Sequence, residues 1–166
     1  MATIAILRAR GVENIIACDI DAGKLAEAIA QGARLTLDTR AADALAQLKS
    51  LSGDSLAGAI DLVGMPATAE LAIGALRKGG RYIMCGLFGG EITLPLPPLA
   101  QRALTIGGSY VGNLAELREL VALAQSGRLR ATPVQLRPAS EINRSLEELK
   151  AGTVMGRVVI DMETAG

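Results

Sequence analysis

The chain has 166 residues, half of them hydrophobic, with seventeen basic residues set against seventeen acidic ones. That length builds one good core, or one domain and part of another, and the balanced charge offers nucleic acid or an anionic membrane nothing to hold. No apolar run approaches the roughly 18 to 20 residues that span a bilayer, and no charged-then-apolar leader opens the sequence, so a soluble, cytoplasmic protein is expected. There is no histidine, which removes the commonest general base and metal ligand. Cys18 and Cys85 stand alone and are expected to be small apolar residues inside buried strands.

In chain order, residues 3–10 (TIAILRAR) have helical apolar spacing and Gly11 ends them. Residues 14–20 (NIIACDI) read as a buried strand closing on Asp19 and Ile20. A helix over 22–31 stops at Gly32, a short strand covers 35–37, and an alanine-rich helix covers 41–51. Residues 59–63 (AIDLV) form the next strand, closed by Gly64, and residues 82–85 (YIMC) another, closed by Gly86. Between them, 68–78 places Leu71, Ala72, Ala75 and Leu76 at helical spacing, with Gly79 and Gly80 as the stop. Two strands buried on both faces and joined by one helix form a parallel βαβ unit with a right-handed connection. Ligands of such sheets bind beyond the carboxyl ends of the strands, here at Val63, Gly64, Gly86 and Leu87.

Residues 93–98 carry Pro95, Pro97 and Pro98, which exclude a central strand and suggest an extended surface segment. A short strand follows over 104–110. Asn113 is placed to cap a helix with Leu114, Leu117, Leu120 and Val121 on one face, ending at Gly127. An edge strand over 132–136, a helix capped by Ser140 and running to Gly152, and a closing strand over 154–160 complete the chain. The alternation of strand and helix up to about residue 110 predicts a doubly wound α/β sheet, and the remainder looks like a return to a neighbouring domain.

Asp19 is the pivotal residue. Dinucleotide-binding units carry a glycine-rich turn after the first strand and an acidic residue about 20 positions later, on the adenosine ribose hydroxyls. Counting back from Asp19 by that spacing reaches Met1 or just before it. By itself an aspartate at a strand end serves a turn or cap as readily.

The ordered set of segments RARGVENIIACDIDAGKLAEAIAQGA, DLVGMPATAELAIGALRKGGRYIMCGLFGGEITLPLP, LTIGGSYVGNLAELRELVALAQSGRL and INRSLEELKAGTVMGRVVI strongly resembles the C-terminal half of the medium-chain, zinc-dependent alcohol dehydrogenases, across essentially the whole chain. The resemblance implies a partial dinucleotide-binding (Rossmann) domain over 1–112 and, over 113–166, the family's return into its catalytic domain. It implies NAD as cofactor, a small alcohol or aldehyde as substrate of the intact enzyme, and a homo-oligomer.

The family's cofactor contacts carry over by position. Asp19 and Lys24 would reach the adenosine ribose. Val63 and Gly64 would line the nicotinamide side of the cleft. Gly86 and Leu87, with Ser109, Tyr110 and Val111, would face the nicotinamide and its carboxamide, and Arg157 would approach the pyrophosphate. Each position also has a plain structural role open to it: Gly64 and Gly86 as turn residues, Ser109 as a strand-end hydroxyl, Lys24 and Arg157 as surface charges.

The family's first strand, glycine-rich turn and zinc-binding catalytic domain would precede Met1. Zinc is therefore expected only in the intact enzyme, and the chain by itself is expected to be catalytically silent. A catalytically lost α/β module serving binding or assembly is the alternative, and a quinone-reductase relative is the rival within the enzyme class. The strand preceding Met1 would be the central one of the sheet, and the gap it leaves is expected to be closed by dimer contacts, sheet rearrangement or another segment.

Overall fold

The computed structural model describes residues 1–163; the last three residues of the 113–166 segment lie outside the described residues. The elements are α1 (Ala2–Ala9), β1 (Ile16–Asp19), α2 (Ala22–Ala30), β2 (Leu35–Asp38), α3 (Ala44–Ser52), β3 (Leu56–Asp61), α4 (Pro66–Ala75), β4 (Leu76–Met84), α5 (Leu96–Gln101), β5 (Thr105–Gly108), α6 (Leu114–Gln125), β6 (Val134–Pro138), a 3-10 turn (Ala139–Glu141), α7 (Ile142–Lys150) and β7 (Arg157–Asp161). All strand pairs are parallel. The fold is the α/β class expected from the alternation of strand and helix.

The local chemistry accounts for most boundaries. Asp21 caps α2 by accepting a hydrogen bond from the Lys24 N–H at 2.8 Å. Gly53 closes α3 in the left-handed conformation, at φ 58°. Asn113 and Glu116 form a reciprocal capping box at the start of α6.

Several boundaries differ from expectation. Helix α4 starts at Pro66 and stops at Ala75, so Leu76, Arg77 and Lys78 belong to β4, and Gly79 and Gly80 lie inside that strand rather than ending a helix. Leu76 pairs with Leu56, the register slips, and Arg81 then pairs with Gly58. Gly79, at φ +74°, takes the bulge that this slip needs. Leu76 is buried in the strand, so its apolar character says nothing about which element holds it. Pro97 and Pro98 are not in an extended segment but in the first turn of α5, where the missing N–H costs nothing. Ser140 sits in the 3-10 turn, and Glu141 occupies the start of α7 without a side-chain cap. Val63 lies beyond the end of β3, in a bend.

The strands form three sheets: β1-β2, β3-β4-β5 and β6-β7. The first two share an apolar layer, because Ile16 at the start of β1 and Leu56 at the start of β3 both pack against a cluster that includes Leu37, Leu48 and Ala75. In the doubly wound order, β1 and β3 flank a central strand. Among the described residues no segment hydrogen-bonds between them, so neither rearrangement nor another part of the same chain closes the gap. Cys18 on β1 is consequently exposed rather than buried, and Cys85 is half-buried just past β4. On β3, Ile60 is exposed as well.

The core is small. Helix α1 covers one face through Ile4, against Ile15, Ala28 and Ala33; α3 and α4 cover the other through Leu48, Ala69 and Ile73. Helix α6 buries none of its residues and leaves Leu114, Leu117 and Val121 exposed; α7 buries only Ser145 and leaves Leu146 and Leu149 exposed. Two arginines tie the return segment back, Arg128 donating to the Ala9 carbonyl at 2.6 Å and Arg130 to the Ala30 carbonyl.

Candidate functional site at the carboxyl ends of the strands

Strands β3, β4 and β5 end side by side, and their trailing segments keep pairing. The Asp61 carbonyl accepts from the N–H groups of Cys85 and Gly86 at 2.8 and 3.0 Å; the Val63 and Gly64 carbonyls accept from Phe88 and Gly89 at 3.1 Å each. The Ser109 N–H donates to the Met84 carbonyl at 2.8 Å. Val63, Gly64, Gly86 and Ser109 are therefore brought together along one rim. Leu87, Tyr110 and Val111 stand out from it, 75%, 75% and 80% exposed. Val111 holds φ +50°, a left-handed conformation that a β-branched residue adopts only under strain.

The two glycines have a reason of their own. A Cβ on Gly64, whose φ is +75°, would stand 2.2 Å from the Gly86 carbonyl oxygen, and one on Gly86 would stand 2.1 Å from the Val63 carbonyl carbon. It is backbone meeting backbone that excludes a side chain here, and not only the approach of a ligand. Gly86→Ala is expected to cost about 3 kcal/mol, because two loops with fixed hydrogen bonds would have to part. A urea melt checks this, and an unchanged midpoint would refute it.

Beneath the rim lies a residue that sequence reasoning passed over as one position in a strand. Asp61 is 7% exposed, and its carboxylate is fully engaged: Oδ1 accepts from the Val63 and Gly64 N–H groups at 2.9 Å each, and Oδ2 meets the Thr68 hydroxyl at 2.7 Å and the Tyr82 hydroxyl at 2.8 Å. Burial pushes this carboxyl up, but the hydrogen bonds from Gly64, Thr68, Val63 and Tyr82 outweigh it and hold the group below the ordinary carboxylate value. Burial raises the Tyr82 phenol, and its bond to Asp61 raises it further. One signal was available: a lone acid in an otherwise apolar strand run needs partners.

The adenosine side lies on the other sheet. Asp19 ends β1, and its Oδ1 accepts from the N–H groups of Ile20 and Asp21 at 2.8 and 3.1 Å; Oδ2 has no hydrogen bond among the described residues. Lys24 is in the first turn of α2, and a Cβ on Gly152 would stand 4.0 Å from its Nζ, so the loop after α7 passes beside it. At the end of β2, Arg40 is bound to Asp38 through Nη2 at 2.6 Å and Nε at 3.0 Å. Hydrogen bonds from the Arg40 side chain and amide push the Asp38 carboxyl down to about 2.

Arg157 is not brought to the rim by any bond. It starts β7 on the third sheet, and among the described residues its guanidinium hydrogen-bonds only the Gly156 carbonyl, at 3.4 Å. A groove of about 610 Å³ adjoins Val111 and is lined by Ile6, Arg10, Asn113, Leu117 and Leu120 between α1 and α6. Among the described residues no helix is long and apolar enough to cross a membrane.

Parallel strands alternating with helices, their carboxyl ends meeting along one rim and an aspartate closing a neighbouring strand, define an α/β class of fold. The family profile described as zinc-binding dehydrogenase matches residues 1–126, and the chain belongs to that family. It is 32% identical over 148 residues to an alcohol dehydrogenase of Moraxella sp. (strain TAE123), covering 89% of this chain and 43% of that protein. A Rhizobium meliloti (strain 1021) alcohol dehydrogenase is 33% identical over 149 residues, covering 90% and 43%. Among solved structures, the alcohol dehydrogenase of the hyperthermophilic archaeon Aeropyrum pernix superposes with a TM-score of 0.86 at 34% identity, covering 97% of this chain and 46% of that one. A structure described as an NAD-dependent alcohol dehydrogenase gives 0.85 at 28% identity, covering 97% and 47%. The chain thus spans less than half the length of these relatives.

The residues present do not fit a zinc ion. No three His, Cys, Asp or Glu side chains gather among the described residues; Cys18 is on β1 and Cys85 follows β4 of another sheet.

Proposed function

We propose that this chain is the cofactor-binding part of an NAD-dependent alcohol dehydrogenase. The observation that carries the reading is the rim where Val63–Gly64, Gly86 and Ser109 meet, with Asp19 closing the adjacent sheet. NAD, when bound, supplies the hydride acceptor for a small alcohol held by other parts of the intact enzyme. The chain's own residues bind and orient it: Asp19 takes the adenosine ribose hydroxyls with Lys24 beside it. The backbone of Gly86, Leu87, Ser109, Tyr110 and Val111 faces the nicotinamide, with Val63 and Gly64 as the wall. Arg157 is assigned to the pyrophosphate by family resemblance alone.

The separate sheet of β6 and β7 supports a boundary near Gly112, with 1–112 as the partial dinucleotide-binding domain and 113–166 as the return segment. The exposed apolar faces of α6 and α7 support burial against further protein, in the intact enzyme and its oligomer.

Preference for NAD follows from charge. The Asp19 carboxylate repels a 2′-phosphate, residues 20–23 contain no arginine, and Arg40 is committed to Asp38. Fluorescence titration of NADH and NADPH into the chain is the test, with the NADH affinity expected in the millimolar range, about 4 kcal/mol. Asp19→Ala is expected to erase the preference, and an unchanged ratio would show that Asp19 is not its source. A chain that binds neither nucleotide would favour the binding or assembly module instead.

A further inference from the structure

We infer that Asp61 is a positioning residue for the nicotinamide half of the cofactor crevice, its carboxylate clamping the Val63–Gly64 turn against the segment that follows β4. The inference rests on the dinucleotide reading above and extends it to a side chain that would touch no ligand. Oδ1 receives the two N–H groups of the turn, and Oδ2 is held by Thr68 at the start of α4 and by Tyr82 in the neighbouring strand. One carboxylate thus joins strand, turn, helix and adjacent strand.

The clamp reaches further through the backbone. The turn whose N–H groups point at Asp61 presents its carbonyls to Phe88 and Gly89, while the Asp61 carbonyl takes Cys85 and Gly86. If the turn tilts, the segment carrying Gly86 and Leu87 tilts with it, since the Gly64 and Gly86 backbones leave no space between them. Charge-assisted bonds to N–H groups are the stronger kind, and a buried carboxylate with four partners has one low-energy orientation. Asp19 ends β1 on the other sheet and Lys24 lies in α2 beside it, without a hydrogen bond to this network among the described residues. Loss of the clamp is therefore predicted to act on one half of the cofactor.

The test measures the two halves separately on the chain, with reduced nicotinamide mononucleotide and AMP as probes. Asp61→Ala is expected to weaken the nicotinamide mononucleotide by about tenfold or more while AMP stays within about twofold. Asp61→Asn keeps an oxygen for the Val63 and Gly64 N–H groups and is expected to restore nicotinamide binding to within about threefold of the parent. If Asp61→Ala does not fold, the pair Thr68→Val with Tyr82→Phe frees Oδ2 and is expected to produce the same one-sided loss, about fivefold. Equal weakening of both probes, or of neither, overturns the inference and leaves Asp61 a stabilising residue only. A parent chain that binds neither probe overturns the cofactor reading itself, and this inference with it.

Discussion

The chain is expected to unfold below about 60 °C, with a midpoint that rises with protein concentration. The cause is the interrupted sheet: β1 and β3 share a core layer yet have no strand between them among the described residues, and Cys18 and Ile60 are left exposed on these strands. Burying about five apolar residues of a central strand contributes on the order of 10 kcal/mol, comparable with the whole net stability of a domain, about 5 to 15 kcal/mol. Unpaired edges recruit other edges, so copies of the chain are expected to associate. Thermal melts at several concentrations, with sedimentation velocity alongside, provide the check. A monomer that melts in one two-state step above about 60 °C would contradict it.

Removing the Asp61 carboxylate is expected to have the next largest effect on the fold. Asp61→Ala leaves the buried Gly64 N–H and Tyr82 hydroxyl without their partner and takes one bond each from the Val63 N–H and the Thr68 hydroxyl, a loss of about 3 kcal/mol. The pH dependence has a definite sign. Because the folded carboxyl titrates below its unfolded value, the ionised group contributes stability that is fully present above the unfolded pKa of about 3.9. That stability is lost as pH falls through the folded value, when Asp61 must take up a proton. Urea midpoints from neutral pH down through this range should fall more steeply for the parent chain than for Asp61→Asn. Parallel curves for the two proteins would show that the group does not titrate as its hydrogen bonds require.

These effects trace back to what was and was not legible in the sequence. The strand ending at Asp19, the helix that follows it up to Gly32, the capped helix at Asn113 and the parallel βαβ centre follow from periodicity and capping chemistry, which act over a few residues. The order of these segments was enough to show the family. The rim positions Val63, Gly64 and Gly86 were legible too, because sheet topology dictates where strands end, whereas Ser109 came from the family resemblance alone.

Other features depended on partners distant in the chain. The division between α4 and β4 was decided by the pairing of Leu76 with Leu56 and by the bulge at Gly79, not by any local preference for helix. The burial of Cys18 was misjudged because an apolar strand run says what a strand needs on both sides, while exposure depends on whether a neighbour is there. Asp61 meets Thr68 seven residues on and Tyr82 twenty-one residues on. The sequence by itself determined most of the helices and strands, their order and the family, because those rest on local spacing. Only the tertiary structure decided which carboxylate holds the Val63–Gly64 turn and which edges stay open among the described residues, because hydrogen bonds between strands join residues that spacing along the chain does not relate.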